Sequence, residues 1–129
     1  MLTVCLDDTG AAGFFHVAHD MNGSRDPAIA VPRAVQGALN ALRTASKEPA
    51  MKRFVYTSSS FAATLPKPKK RFTISADTFN DESVERACQP DPDGETIYSA
   101  SKVDAERAIY KWIDDHESSL VVNTSKSAR

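Results

Sequence analysis

The chain has 129 residues, enough for one domain and too few for two full-sized ones, with 41% hydrophobic and 26% charged side chains. Seventeen acidic against sixteen basic residues leave a formal charge of −1, so no general attraction to nucleic acid or to an anionic membrane surface is expected. The longest apolar stretch, Ala11 to Ala18, is broken by His16 and falls far short of the roughly 20 residues of a membrane-spanning helix; nothing at the start reads as a secretory signal, and a cytoplasmic address is the expectation.

In chain order, the run Phe14-Phe-His-Val-Ala18 lies between Gly10 and Gly13 on one side and Asp20, Asn22 and Gly23 on the other, and reads as a short buried strand. From Asp26 to about Lys47, Val31, Val35, Ala38, Leu42 and Ala45 recur at three- and four-residue steps, which predicts a long helix with one apolar face. Pro32 is compatible with that helix in its first turn, and Lys47-Glu-Pro49 closes it. Arg53-Phe-Val-Tyr-Thr-Ser-Ser-Ser60 begins aromatic and β-branched and ends in small hydroxyl residues, a second strand whose carboxyl end is equipped for chemistry. Phe61 to Thr96 shows no sustained period and contains Pro66, Pro68, Pro90 and Pro92, so it reads as a long loop of the kind that is usually functional. Its basic run from Lys67 to Arg71 is expected to be a solvated loop, with a nuclear-localisation patch as the lesser reading. From Tyr98 to about His116, Ala105, Ala108, Ile109, Trp112 and Ile113 predict a second amphipathic helix, with fraying expected where Asp114, Asp115 and Glu117 oppose its dipole. Leu120-Val-Val122 is a third strand. Cys5 and Cys88 stand far apart without partners at ligand spacing, so neither a disulfide nor a zinc site is expected.

These elements make an α/β chain, a parallel three-stranded β-α-β-α-β half-sheet joined by helical crossovers. In an open sheet of this kind the chemistry is expected at the carboxyl ends of the strands, where Ser58, Ser59 and Ser60 fall. Tyr98-Ser-Ala-Ser-Lys102 places a phenol and an ammonium four residues apart, on one helix face and able to share a ligand. A neighbouring ammonium favours the phenolate, which equips a phenol to move protons, and a strand-end hydroxyl can orient the same substrate oxygen. That set of groups suits carbonyl reduction or alcohol oxidation.

With the strand Phe54 to Ser60 ahead of it, Tyr98-x-x-x-Lys102 resembles the catalytic core of the short-chain dehydrogenase/reductases. Gly13-Phe-Phe-His-Val-Ala18, Asp26-Pro27, Val35 to Arg43, Lys52 to Ser60 and Tyr98 to Lys102 arrive in the order of the extended branch, the NAD-dependent epimerase/dehydratase family. Within it the chain looks most similar to fungal NADP-dependent aldehyde and ketone reductases and to dihydroflavonol and cinnamoyl reductases, over roughly Gly10 to Thr124. The resemblance implies an oxidoreductase that reduces an aldehyde or ketone with NADP or NAD, NADP being favoured. Tyr98 is then the general acid, Lys102 the cation that favours its phenolate and binds the nicotinamide ribose, and Ser59 the substrate-orienting hydroxyl, with Ser60 as the fallback. Backbone around Val17, Ala18 and His19, with Thr57 and Ser58 beside it, is implied to line the cofactor groove. The asparagine that some members carry on the long helix corresponds here to Ala34.

The same resemblance implies a single partial Rossmann domain over 1–129, beginning near the family's fourth strand. The sequence contains no G-x-G-x-x-G or G-x-x-G-x-x-G; Gly10-Ala-Ala-Gly13 is followed by a strand and corresponds to the turn ahead of it. An unpaired strand edge and an uncovered sheet face are expected, and with them association as a homodimer or with a full-length relative. A small-molecule carbonyl substrate is the implied partner. The alternative expectation is a catalytically inactive fragment or interaction module that keeps the signature without the glycine-rich loop.

Overall fold

A computed structural model describes residues 10–19 and 24–126. Cys5 and the strand-bounding Asp20, Asn22 and Gly23 lie outside the described residues. The elements are β1 (Gly13–His16), α1 (Pro27–Ser46), β2 (Arg53–Thr57), a single 3₁₀ turn (Ser60–Ala62), α2 (Asp81–Ala87), α3 (Gly94–Asp115) and β3 (Val121–Ser125). The three strands form one parallel sheet in the order β1-β2-β3. Gly10 precedes it at φ +106°, a left-handed conformation that a residue with a side chain rarely adopts, so the chain turns into β1 there.

Register decides which side chains become core. Phe14 pairs with Phe54 and His16 with Tyr56, while Phe54 pairs with Val122 and Tyr56 with Thr124. By the two-residue alternation of strands, all six point to one face. α1 and α3 cover that face: Ala38, Ala41, Leu42 and Ala45 from α1, Ala105 and Ile109 from α3, and Leu120 form one buried cluster with Phe54 and Tyr56. The alanines let both helices approach closely, and the wholly buried Phe54 contributes roughly 2–3 kcal/mol by leaving water. Aromatic stacking follows the register, with Phe14 on Phe54 at 5.7 Å and His16 on Tyr56 at 5.9 Å between ring centroids. The opposite face carries Phe15 at 70% exposure and Val121 at 48%, and Val17 just past β1 is 68% exposed.

The helix ends explain where the boundaries differ from the periodic reading. Asp26 caps α1 by accepting from the Ala28 N–H at 2.9 Å, and Pro27 takes the first helical position, which costs no donor. Pro32 therefore lies one turn further in than expected and forgoes the hydrogen bond to the Ala28 carbonyl. α3 starts at Gly94, four residues before Tyr98, because Asp93 accepts from the Thr96 N–H at 2.7 Å; that bond holds its carboxyl below the usual aspartate range. At its other end the acidic turn stays helical through Asp115, with Lys111 paired to Asp115 at 2.8 Å and the His116 ring stacked on Trp112.

The segment from Phe61 to Thr96 is not one loop. It contains the 3₁₀ turn and α2, a helix of seven residues, too short to show a period. Asn80 organises it: its side chain accepts from the Ser83 N–H at the start of α2 and donates to the Phe61 carbonyl at 3.1 Å and the Ser99 hydroxyl at 2.9 Å. The remaining stretch before α2 is pinned by Phe79, which lies between the Arg107 guanidinium at 4.7 Å and the Lys126 ammonium at 4.6 Å. The basic run from Lys69 to Arg71 is exposed to solvent, and Lys67 pairs with Glu82 at 3.1 Å.

Candidate active site

All three strands run the same way, so His16, Thr57 and Ser125 end at one edge of the sheet. α3 crosses behind that edge and carries Tyr98 and Lys102 one turn apart. Lys102 is 3% exposed, and its ammonium donates to the Thr57 carbonyl at 3.0 Å, which ties the middle of α3 to the last residue of β2. The same nitrogen lies 5.1 Å from the centre of the Tyr56 ring and 5.8 Å from that of Tyr98. Burial pushes the Lys102 ammonium down to about 8, against the opposing pull of the Glu106 carboxylate. Burial, and then the Lys102 charge, hold His16 below the ordinary imidazole range. Tyr56 is raised well above the usual phenol range by burial, reinforced by Glu106 and Tyr98.

Tyr98 is half-buried in an aromatic seat. The His19 ring meets it edge-on at 5.0 Å, and Phe61 approaches at 6.3 Å with its plane at 80°. Phe61 is held in turn by the residue next to Tyr98: the Ser99 hydroxyl donates to the Phe61 carbonyl at 2.6 Å. Ser59 connects to this seat through Phe61, whose N–H donates to the Ser59 hydroxyl oxygen at 3.2 Å. That bond uses the oxygen as an acceptor, so the Ser59 O–H proton is still able to donate.

Ser58 and Ser59 therefore take opposite directions. The Ser58 side chain turns into the core and donates to Glu106 Oε2 at 2.8 Å, so only its backbone faces the strand end. The structure brings His19, Thr57, Tyr98 and Lys102 together and attaches Ser59 to them by way of Phe61. Val17 and Ala18 are exposed beyond the end of β1. Ala34, by contrast, is buried on α1. A cleft of about 1060 Å³ between the start of α1, the end of α2 and the start of α3, lined by Val31, Val84 and Asp104 among others, includes none of these predicted residues.

Sequence reasoning missed Glu106, Asn80, Ser99, Thr124 and Lys126. For Glu106 a signal was present, since it stands four residues after Lys102 and so shares its helix face. Ser99 stands beside Tyr98 within the motif, but its partners Phe61 and Asn80 lie 38 and 19 positions away. Thr124 reaches Glu106 from 18 positions away, Lys126 bonds Ala76 and Thr78 from further still, and no spacing rule links them.

An NAD-binding family model described as "Male sterility protein" matches residues 10–125. Among curated proteins, the chain is 35% identical over 116 residues to an NAD-dependent epimerase/dehydratase, terH, of Aspergillus terreus, covering 87% of this chain and 34% of that protein. It is 37% identical over 119 residues to aldehyde reductase 2 of Sporidiobolus salmonicolor, covering 88% and 35% respectively. The chain thus spans about a third of the length of the curated relatives it matches. Yeast methylglyoxal/isovaleraldehyde reductase Gre2, crystallised with NADPH, has the same fold over 92% of this chain and 35% of its own, with a TM-score of 0.67 at 22% identity.

Proposed function

Because this chain belongs to the extended short-chain dehydrogenase/reductase family, we propose that it supplies the reacting half of an NAD(P)H-dependent aldehyde or ketone reductase, with Tyr98, Lys102 and Ser59 as its catalytic residues. The observation that carries the reading is the anchored pair on α3: Lys102 fixed to Thr57 at 3.0 Å with Tyr98 one turn before it, at the carboxyl edge of a parallel sheet.

The residues fit the nicotinamide end of such a cofactor. Thr57 accounts for one of the three N–H donors of the Lys102 ammonium, which leaves donors for ribose hydroxyls. Tyr98 is partly open to solvent, and the chain at Val17, Ala18 and His19 leaves the sheet at the same edge, with Thr57 and Ser58 alongside. When bound, reduced nicotinamide supplies the hydride. The Ser59 hydroxyl donates to the substrate carbonyl oxygen and fixes its position. Tyr98 Oη delivers a proton to that oxygen as its negative charge develops, and the Lys102 cation stabilises the phenolate left behind. NADP is favoured over NAD, in keeping with the NADPH of the yeast relative.

A second reading is favoured by the position of β1, whose outer edge pairs with no strand among the described residues, and by exposed Phe15 and Val17: the chain acts only when another polypeptide, a second copy or a longer relative, covers that side. Titration of the purified chain with NADPH and NADH, followed by reduced-nicotinamide fluorescence with Lys102→Ala as the control, tests both. Saturable binding that the substitution abolishes, then turnover of aldehydes that Tyr98→Phe removes, is the expected result. No binding at millimolar cofactor by a chain that circular dichroism shows to be folded overturns independent catalysis and leaves the second reading.

A further inference from the structure

We propose that Glu106 is a positioning residue for the Tyr98 and Lys102 pair: its buried carboxylate ties the ends of β2 and β3 to α3 and balances the charge of Lys102. Glu106 is 1% exposed. Oε2 accepts from the Ser58 hydroxyl at 2.8 Å, just past β2, and Oε1 accepts from the Thr124 hydroxyl at 3.0 Å, near the end of β3. Between them these bonds occupy both oxygens and fix the carboxylate across two strand ends. Lys126 brings its ammonium to 3.4 Å of Oε1 while also donating to the Ala76 and Thr78 carbonyls.

A carboxylate in so dry a place needs compensation, and hydrogen bonds with one partly buried cation are what the fold supplies. Lys102 lies one turn earlier on the same helix face, also buried, and donates to the neutral Thr57 carbonyl. The charge that opposes the cost of its burial is that of Glu106, one turn on along the same face. The titratable groups facing this pair are His16 from β1, Tyr56 from β2, Tyr98 from α3 itself and Lys126 beyond β3. From α1 the buried residues are only Ala34, Ala38, Ala41, Leu42 and Ala45. Removing the Glu106 charge thus leaves a lysine among aromatic rings, an imidazole and another cation. A purely structural carboxylate would lose little on replacement by the isosteric amide, because glutamine keeps the volume and can still hydrogen-bond Ser58 and Thr124.

The inference rests on the reading of Tyr98 and Lys102 as the reacting pair, but its test needs neither cofactor nor turnover. The chain is labelled on the lysine side chains and titrated by NMR, with the Lys102 signal assigned by its disappearance in Lys102→Arg. Lys102 is expected to titrate near 8 in the parent chain and about one pH unit lower in Glu106→Gln. Lys126→Met, which takes away the cation 3.4 Å from Glu106 Oε1 and so leaves the carboxylate to act on Lys102 unshared, is expected to move the midpoint upward. A Glu106→Gln chain that folds and shows an unchanged or raised Lys102 midpoint overturns the proposal. If that variant does not fold, Lys126→Met decides, and no upward shift overturns it. Absence of NADPH binding sinks the reductase reading while the Lys102 titration is still readable.

Discussion

The ammonium of Lys102 and the carbonyl of Thr57 meet at 3.0 Å, and this bond joins the helix that carries the candidate proton-donating phenol, Tyr98, to the last residue of β2, two positions before the candidate substrate-orienting Ser59. Because the ammonium is buried there, its proton is held less tightly than in water, and the stability of the fold becomes dependent on pH. In the unfolded chain a lysine keeps its proton up to about pH 10.4, whereas in the fold Lys102 releases it near 8. Between those values the unfolded chain binds more protons, so the Lys102 contribution to stability is least favourable below pH 8 and improves as pH rises toward 10.4. Urea midpoints compared at pH 7.5 and 9.5 are expected to show this gain in the parent chain and to lack it in Lys102→Met.

Ser58 and Ser59 are neighbours of identical chemistry with opposite surroundings, and their substitution separates stability from activity. Ser58→Ala removes a hydrogen bond to a buried carboxylate and is expected to cost about 1.5–3 kcal/mol in urea unfolding, with a smaller loss of turnover than Ser59→Ala. Ser59→Ala loses only the bond from the Phe61 N–H, a cost of about 1 kcal/mol, but is expected to lower carbonyl turnover by ten-fold or more. Equal effects of the two on turnover would reject Ser59 as the orienting hydroxyl.

Asn80 is 6% exposed and holds α2, the 3₁₀ turn and α3 through one side-chain amide. Asn80→Ala removes a helix cap and two donated hydrogen bonds together, and is expected to destabilise the chain by about 2–4 kcal/mol. Hydrogen exchange should show the loss concentrated in α2 and the start of α3. Uniform loss of protection across the sheet would contradict the role assigned to it.

Phe15 stands 70% exposed on β1, which is an edge strand among the described residues and is covered by no helix of theirs on that face. A flat apolar strand with free backbone donors and acceptors recruits further chains, and a charge on it blocks that pairing. Phe15→Lys is therefore expected to reduce the mass seen by light scattering at micromolar concentration while leaving the circular dichroism spectrum intact. A parent chain that already scatters as a monomer would remove the basis for this expectation.

The three strands, their parallel order and the two long helices were legible in the sequence because their signals are local: β-branched and aromatic runs for strands, and apolar positions at three- and four-residue steps for α1 and α3. The Tyr98 and Lys102 pair was legible for the same reason, since four positions along a helix put two side chains on one face. Local chemistry also determined where α1 and α3 begin, through Asp26 and Asp93, although hydrophobic period alone places the second start four residues late. The seven residues of α2 escaped because two turns are too few for a period to emerge and because the helix depends on Asn80, whose partners Phe61 and Ser99 are 19 positions away on either side.

Only the tertiary structure decided the directions of the serines and the surroundings of the charges. Ser58, Ser59 and Ser60 are equivalent as a string; what sends the Ser58 hydroxyl inward is Glu106, 48 positions later, arriving on α3 at hydrogen-bond distance. The fit of Lys102 against Thr57, 45 positions earlier, sets the burial that weakens its hold on a proton. Sequence determined which groups are present and which neighbours share a helix face or a strand face. Charge, by contrast, is governed by what packs around a group after the chain has crossed from β2 through α3 to β3, because desolvation and hydrogen bonding act through space and not along the backbone.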